Sequence, residues 1–171
     1  MTKVLVVSDS CSLILSAKAN LLDVLCEEFK VEIPKKVFDE VIVEGKKLGK
    51  VDAFIVEKKV NSKKVIVKGV VKERMKEFEQ FNLDEGEKEA ILLSIQEKAD
   101  LLLVDDRQAI NTAKLLGIKW VSLPVLLQWM YERNKILRDD ALSALAILQR
   151  EGRYKLDFIL GVLKEIEGGI R

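Results

Sequence analysis

The sequence predicts an α/β fold in three layers: a central, mainly parallel sheet sandwiched between helices, with further helices at the C-terminal end. Three observations carry this expectation. Short, largely β-branched or leucine-rich runs at residues 4–7, 101–104 and 118–121 read as strands buried on both faces. Between them stand segments with apolar residues three or four apart, which read as helices laid over that sheet. At 171 residues, 49% hydrophobic and 33% charged, the chain has the length and composition for a packed core rather than disorder.

The elements follow in order. Residues 3–8 form the first strand, and Asp9 or Ser10 then caps one helix carrying the stripe Leu13, Ile14, Ala17, Leu21, Leu22 and Leu25. Residues 29–33 read as a short strand. Pro34 opens the next helix at its favoured first position, with Val37, Phe38, Val41, Ile42 and Leu48 inward and Gly45 and Gly49 loosening its end. A helix over 51–60 and a strand over 64–68 come next, then a helical stretch over 73–81. A stronger helix runs from about Asp84 to Ala99 and leads to the strand at 101–104. Residues 107–116 form a helix stopped at Gly117, residues 118–121 a strand, and Pro124 opens a helix reaching Arg133. Two amphipathic segments near 139–150 and 154–166 read as a C-terminal hairpin.

Composition removes several chemistries. No histidine is present, which excludes Ser-His-Asp and Cys-His triads and paired-imidazole catalysis. The 29 basic and 28 acidic residues nearly cancel, so attraction to nucleic acid must come from local patches. Asn and Gln are scarce while Lys, Glu, Val and Ile abound, as in heat-adapted proteins. The single lysine before the first apolar run is too little for a signal peptide, and no run approaches a membrane span, so a cytoplasmic protein is expected. Cys11 and Cys26 fall on what the pattern reads as one helix, too far apart to bridge. They are expected as small apolar residues in a reducing compartment, without a zinc site.

The informative residues are acids at the ends of buried elements. Asp9 closes the first strand, and Asp105 and Asp106 close the one at 101–104. Ligands of open parallel sheets bind beyond the carboxyl ends of the strands, so topology alone places these acids together. Carboxylates there repel one another and resist desolvation, and a divalent cation is the simplest offset. Each also has a plain alternative. Asp9 and Asp106 suit helix N-caps. Glu40 and Glu44 suit a solvated face with the lysines around them, Lys35, Lys36, Lys46, Lys47 and Lys50, for which RNA-backbone contact is the minority reading. Asp84 and Glu87 fit a capping box, although the helical wheel turns Glu87 toward Ala90 and Ile91 and leaves Glu85 and Glu89 to solvent. Trp120, Trp129 and Tyr131 read as core or interface. No phosphate-binding glycine loop is present.

In this order the residues resemble the PIN-domain ribonucleases. Val7-Ser8-Asp9-Ser10 with Leu13-Ile14 is similar to the first motif of that family, and Pro34, Val37, Glu40 and Val41 to the second. Leu83-Asp84 with Gly86-Glu87 and Glu89-Ala90-Ile91 resembles the third, in a form seen in an archaeal and bacterial branch. Leu103-Val104-Asp105-Asp106-Arg107 with Ala109, then Ala113 and Leu116-Gly117-Ile118, resembles the fourth. The resemblance implies a Rossmann-like, PIN-like nuclease domain over 1–135 and a helical extension over 136–171 packed on it. It implies that Asp9, Glu40, Glu87 and Asp105 are catalytic and bind Mg²⁺ or Mn²⁺, with Ser10 as a supporting hydroxyl. Val104 stands where the commoner pattern has Thr or Ser, and alignment to that pattern selects Asp106 as ligand in place of Asp105. Single-stranded RNA is the implied substrate, cut to a 5′-phosphate and a 3′-hydroxyl. Many relatives are VapC-like toxins that form homodimers and are restrained by a small antitoxin. The competing expectations are a noncatalytic RNA- or protein-binding module of the same fold, and a phosphatase. The phosphatase is disfavoured because Cys11 stands where a second aspartate would be needed.

Overall fold

The computed structural model describes residues 2–168. Its strands are β1 (Leu5–Ser8), β2 (Lys30–Pro34), β3 (Val65–Lys68), β4 (Leu101–Leu103) and β5 (Trp120–Val121). Helices α1 (Ser10–Lys18) and α2 (Leu22–Glu28) follow β1. From β2 the chain runs through α3 (Lys35–Phe38), a π-helical stretch at Asp39–Glu44, α4 (Gly45–Lys47) and α5 (Val51–Asn61) to β3. A 3-10 stretch at Lys72–Phe78 and α6 (Glu85–Gln96) lead to β4, and α7 (Arg107–Leu115) leads to β5. The chain closes with α8 (Leu123–Glu132), α9 (Arg138–Glu151) and α10 (Leu156–Gly168).

The strands lie in the order β3-β2-β1-β4-β5, and every pairing is parallel. Val7 stands opposite Glu32 on one side and Leu102 on the other. Alternation along the strands sends Val6 and Val7 to opposite faces, and the core divides accordingly. Val6, Val31, Ile33 and Leu103 pack with α1, α2 and α8–α10, whereas Val7, Leu102 and Val104 pack with α6 and α7. This is the expected three-layer sandwich. Glu32 is the exception on the α6 face: fully buried, it pairs with Lys30 Nζ at 2.8 Å.

Several elements depart from expectation for local reasons. The helix expected to carry both cysteines is two. Asn20, at φ 56°, turns the chain between α1 and α2, a conformation asparagine tolerates better than most residues. Cys11 is consequently exposed on α1 and Cys26 buried on α2, so only Cys26 behaves as the expected small core residue. Pro34 ends β2 and precedes the helix rather than opening it. The helix expected from Pro34 onward widens into π geometry over Asp39–Glu44. The stretch expected as a helix over 73–81 is a 3-10 turn sequence ending at Phe78, where the following Asn82 and Leu83 already approach the α6 cap.

The terminal helices share the first core. Leu126, Leu127 and Met130 of α8 are buried in one cluster with Leu145, Leu148, Ile159, Val162 and Ile166 of α9 and α10. Residues 169–171 of the extension lie outside the described residues. Among the described residues no helix is long and apolar enough to cross a membrane.

Candidate functional site

Asp9 leaves β1 in extended conformation and caps α1, its Oδ1 accepting from Ser12 N at 2.9 Å. Its own backbone N–H donates to Leu103 O at 3.2 Å, which ties the carboxyl ends of β1 and β4 together. Just past β4, Asp105 Oδ2 accepts from Ser12 Oγ at 2.7 Å and Oδ1 accepts from Leu123 N at 3.0 Å. One serine therefore holds both aspartates, by its backbone and by its hydroxyl. Sequence reading did not single out Ser12; its place at the third position of a capped helix was the available signal.

Asp106 has a different role in the fold. It is exposed, and its Oδ1 accepts from Gln108 N (2.7 Å) and Ala109 N (3.1 Å) as the N-cap of α7. The two adjacent acids thus face different partners, with only Asp105 sharing Ser12 with Asp9.

Glu40 lies in the π-helical stretch, where the widened turn displaces side chains from the regular helical face. Its Oε2 accepts from Ser10 Oγ at 2.5 Å, and Oε1 pairs with Lys36 Nζ at 3.5 Å. The carboxylate rests on the first turn of α6: a Cβ at Gly86 would fall 2.6 Å from Glu40 Oε2. The missing side chain at residue 86 is what admits the carboxylate there, beside the positive end of a helix dipole. Glu87 makes the capping box of the same helix, its Oε2 accepting from Asp84 N at 3.0 Å while its own N–H donates to Asp84 Oδ1 at 2.7 Å. Glu85 is exposed, but Glu89 is not solvated as expected. It is buried, and its Oε2 accepts from Lys36 N at 3.0 Å, which fastens α6 to the start of α3. The surrounding lysines make ion pairs with acids on the surface: Lys35 with Asp39, Lys46 with Glu57 and Lys47 with Glu44.

The acids feel one another. Burial pushes Asp9 from an ordinary value of 3.8 up to about 7; the bonds from Ser12 oppose this, while Asp105 and Glu87 add to it. Burial likewise raises Glu87 to about 7, with Asp106 and Glu40 among the repelling neighbours. Asp105 is raised by burial against the bonds from Ser12 and Leu123. Sequence reading also missed Tyr154, in the connection between α9 and α10, whose hydroxyl is buried facing Asp105.

Every donor in this set is a carboxylate oxygen, the ligand type that Mg²⁺ and Mn²⁺ prefer. As the side chains stand, no group of three or more Asp, Glu, His or Cys among the described residues is arranged to hold a metal ion. The Ser12-linked pair Asp9 and Asp105 is a two-carboxylate seat, and one or two carboxylates suffice for Mg²⁺, which keeps several of its waters. The residues present therefore fit a hydrated ion better than a fully protein-ligated one.

A family model described as a PIN domain covers residues 5–167, nearly the whole chain, including α9 and α10. No curated protein matches.

Proposed function

The chain belongs to the PIN-domain family, whose members are generally nucleases, and on that premise we propose that it is a divalent-metal-dependent endonuclease of single-stranded RNA. The observation that carries this reading is the Ser12-linked pair of acids at the carboxyl ends of β1 and β4, with Glu40 and Glu87 electrostatically coupled around it. Asp9 and Asp105 would hold Mg²⁺ or Mn²⁺, and Glu40 and Glu87 would hold its waters. When bound, the ion would neutralise phosphate charge and acidify a water. Asp105 is preferred to Asp106 because it shares Ser12 with Asp9, whereas Asp106 is exposed and bonded only to the backbone of α7.

The remaining chemistry falls to the protein. Glu87, raised to about 7, is matched as a general base to neutral pH and accepts a proton from the attacking water. The water oxygen bonds to phosphorus, the bond from phosphorus to the 3′-oxygen breaks, and that oxygen takes a proton from solvent water. The products are a 5′-phosphate and a 3′-hydroxyl. Ser10 orients Glu40 by its 2.5 Å hydrogen bond. A toxin held by a small antitoxin, acting as a cytoplasmic homodimer, is the narrower form of this proposal and rests on the sequence resemblance; a short DNA-binding protein encoded next to this chain is its first test.

A second reading, a noncatalytic RNA-binding module, is favoured by one observation, that among the described residues no three acids stand ready around one ion. RNA cleavage with Mg²⁺, Mn²⁺ or EDTA, comparing wild type with Glu87→Gln, separates the two. The nuclease gives metal-dependent cleavage that falls about 100-fold or more in the variant. RNA binding without cleavage in any metal supports the module instead.

A further inference from the structure

We infer that Tyr154 is a positioning residue of the site: the α9–α10 connection delivers its hydroxyl to Asp105 and holds that carboxylate in register with Asp9. This rests on the proposed metal-dependent reading of the same site.

The ring is clamped independently of the hydroxyl. It lies across Gly152, where a Cβ would fall 2.3 Å from Tyr154 Cε2, and its centroid is 6.2 Å from that of Phe158. A phenylalanine would satisfy both contacts. The hydroxyl is therefore the unexplained atom: buried, facing Asp105, and without a well-formed hydrogen bond. A buried hydroxyl left unpaired is costly, so a scaffold alone gives no reason for tyrosine here. A phenol is protonated at neutral pH, so the hydroxyl offers a hydrogen-bond donor to the Asp105 carboxylate. Ser12 and Leu123 already hold one oxygen each of Asp105. The unpaired hydroxyl beside that carboxylate is placed to become its third donor when the ion binds, as groups behind metal ligands commonly do. The connection thus gives the two terminal helices a part in the chemistry as well as in the core.

The test is titration calorimetry with Mn²⁺ on the full chain, using wild type, Tyr154→Phe, Asp105→Asn and the double variant, with circular dichroism on each. Tyr154→Phe is expected to fold as wild type does and to weaken Mn²⁺ binding by about 10-fold or more. In the Asp105→Asn background the same change should add nothing, because the hydroxyl acts through that carboxylate. Binding in Tyr154→Phe within about twofold of wild type, beside loss in Asp105→Asn, overturns this inference and leaves the site reading intact. Equal losses in both backgrounds, or a Tyr154→Phe chain that does not fold, also overturn it. A wild type that takes up no Mn²⁺ removes the metal reading itself, and this inference with it.

Discussion

Asp105 and Asp106 are chain neighbours with opposite surroundings, and they give the sharpest test at the scale of single residues. Asp105→Asn should abolish RNA cleavage, whereas Asp106→Asn, which keeps an equally good cap on α7, should retain it within a few-fold. Asp106→Ala should cost about 1 kcal/mol in chemical denaturation while sparing cleavage. The reverse ranking in the cleavage assay would move the site to Asp106. Gly86→Ala presses a methyl group into the place of the Glu40 carboxylate, so cleavage should fall about tenfold with little change in folding. The four acids of the proposed site stand out in the chain because each closes an apolar run or flanks a helical stripe. Ser12, Glu89 and Tyr154 do not. Glu89 meets Lys36 from 53 residues away, and Tyr154 meets Asp105 from another helix pair; only the fold joins them.

At the scale of elements, the strand pattern was the readable part. Strands buried on both faces leave uninterrupted apolar runs, and all five begin and end within two residues of expectation. Breaks inside helices were harder. The stripe from Leu13 to Leu25 continues across Asn20 because α1 and α2 both pack on the same core, so hydrophobic spacing alone does not reveal the turn. The π-helical stretch carrying Glu40 is equally silent, since one inserted residue barely disturbs the apolar spacing. Glu32 in β2 is a different matter: a fully buried carboxylate paired only with a half-exposed lysine gains little from its ion pair. Glu32→Met should leave cleavage unchanged and raise the melting temperature, by roughly 1 kcal/mol of stability. A fall in melting temperature would assign Glu32 a structural role that its ion pair does not explain.

For the whole molecule, the terminal helices and the acids set the predictions. The sequence reads residues 136–171 as an extension packed on the same domain, and α8 buries Leu126, Leu127 and Met130 in one cluster with residues of α9 and α10. We propose that the two parts fold as one unit, so a chain ending at residue 135 should fail to fold, read by loss of a cooperative thermal transition; a soluble, cooperative fragment would restore the boundary. The acids act on stability in a defined direction. Asp9 and Glu87 bind protons more tightly folded, at about 7, than at their ordinary values of 3.8 and 4.5. Their contribution is therefore full below about pH 4 and is lost as pH rises through about 7. For buried Asp9 the loss is on the order of 3 kcal/mol, enough to lower the melting temperature by about 5 °C or more. A cation shared by these acids should reverse that loss. The most direct measurement is the melting temperature of the metal-free protein from about pH 5 to about pH 8, with and without Mn²⁺, for wild type beside Asp9→Asn. The expected result is a wild-type melting temperature that falls with pH and is restored by Mn²⁺, and a variant whose melting temperature falls less, through Glu87 alone, and is not restored by Mn²⁺. A wild type that is insensitive to pH and to Mn²⁺ across this range would contradict the convergence of these carboxylates on one ion.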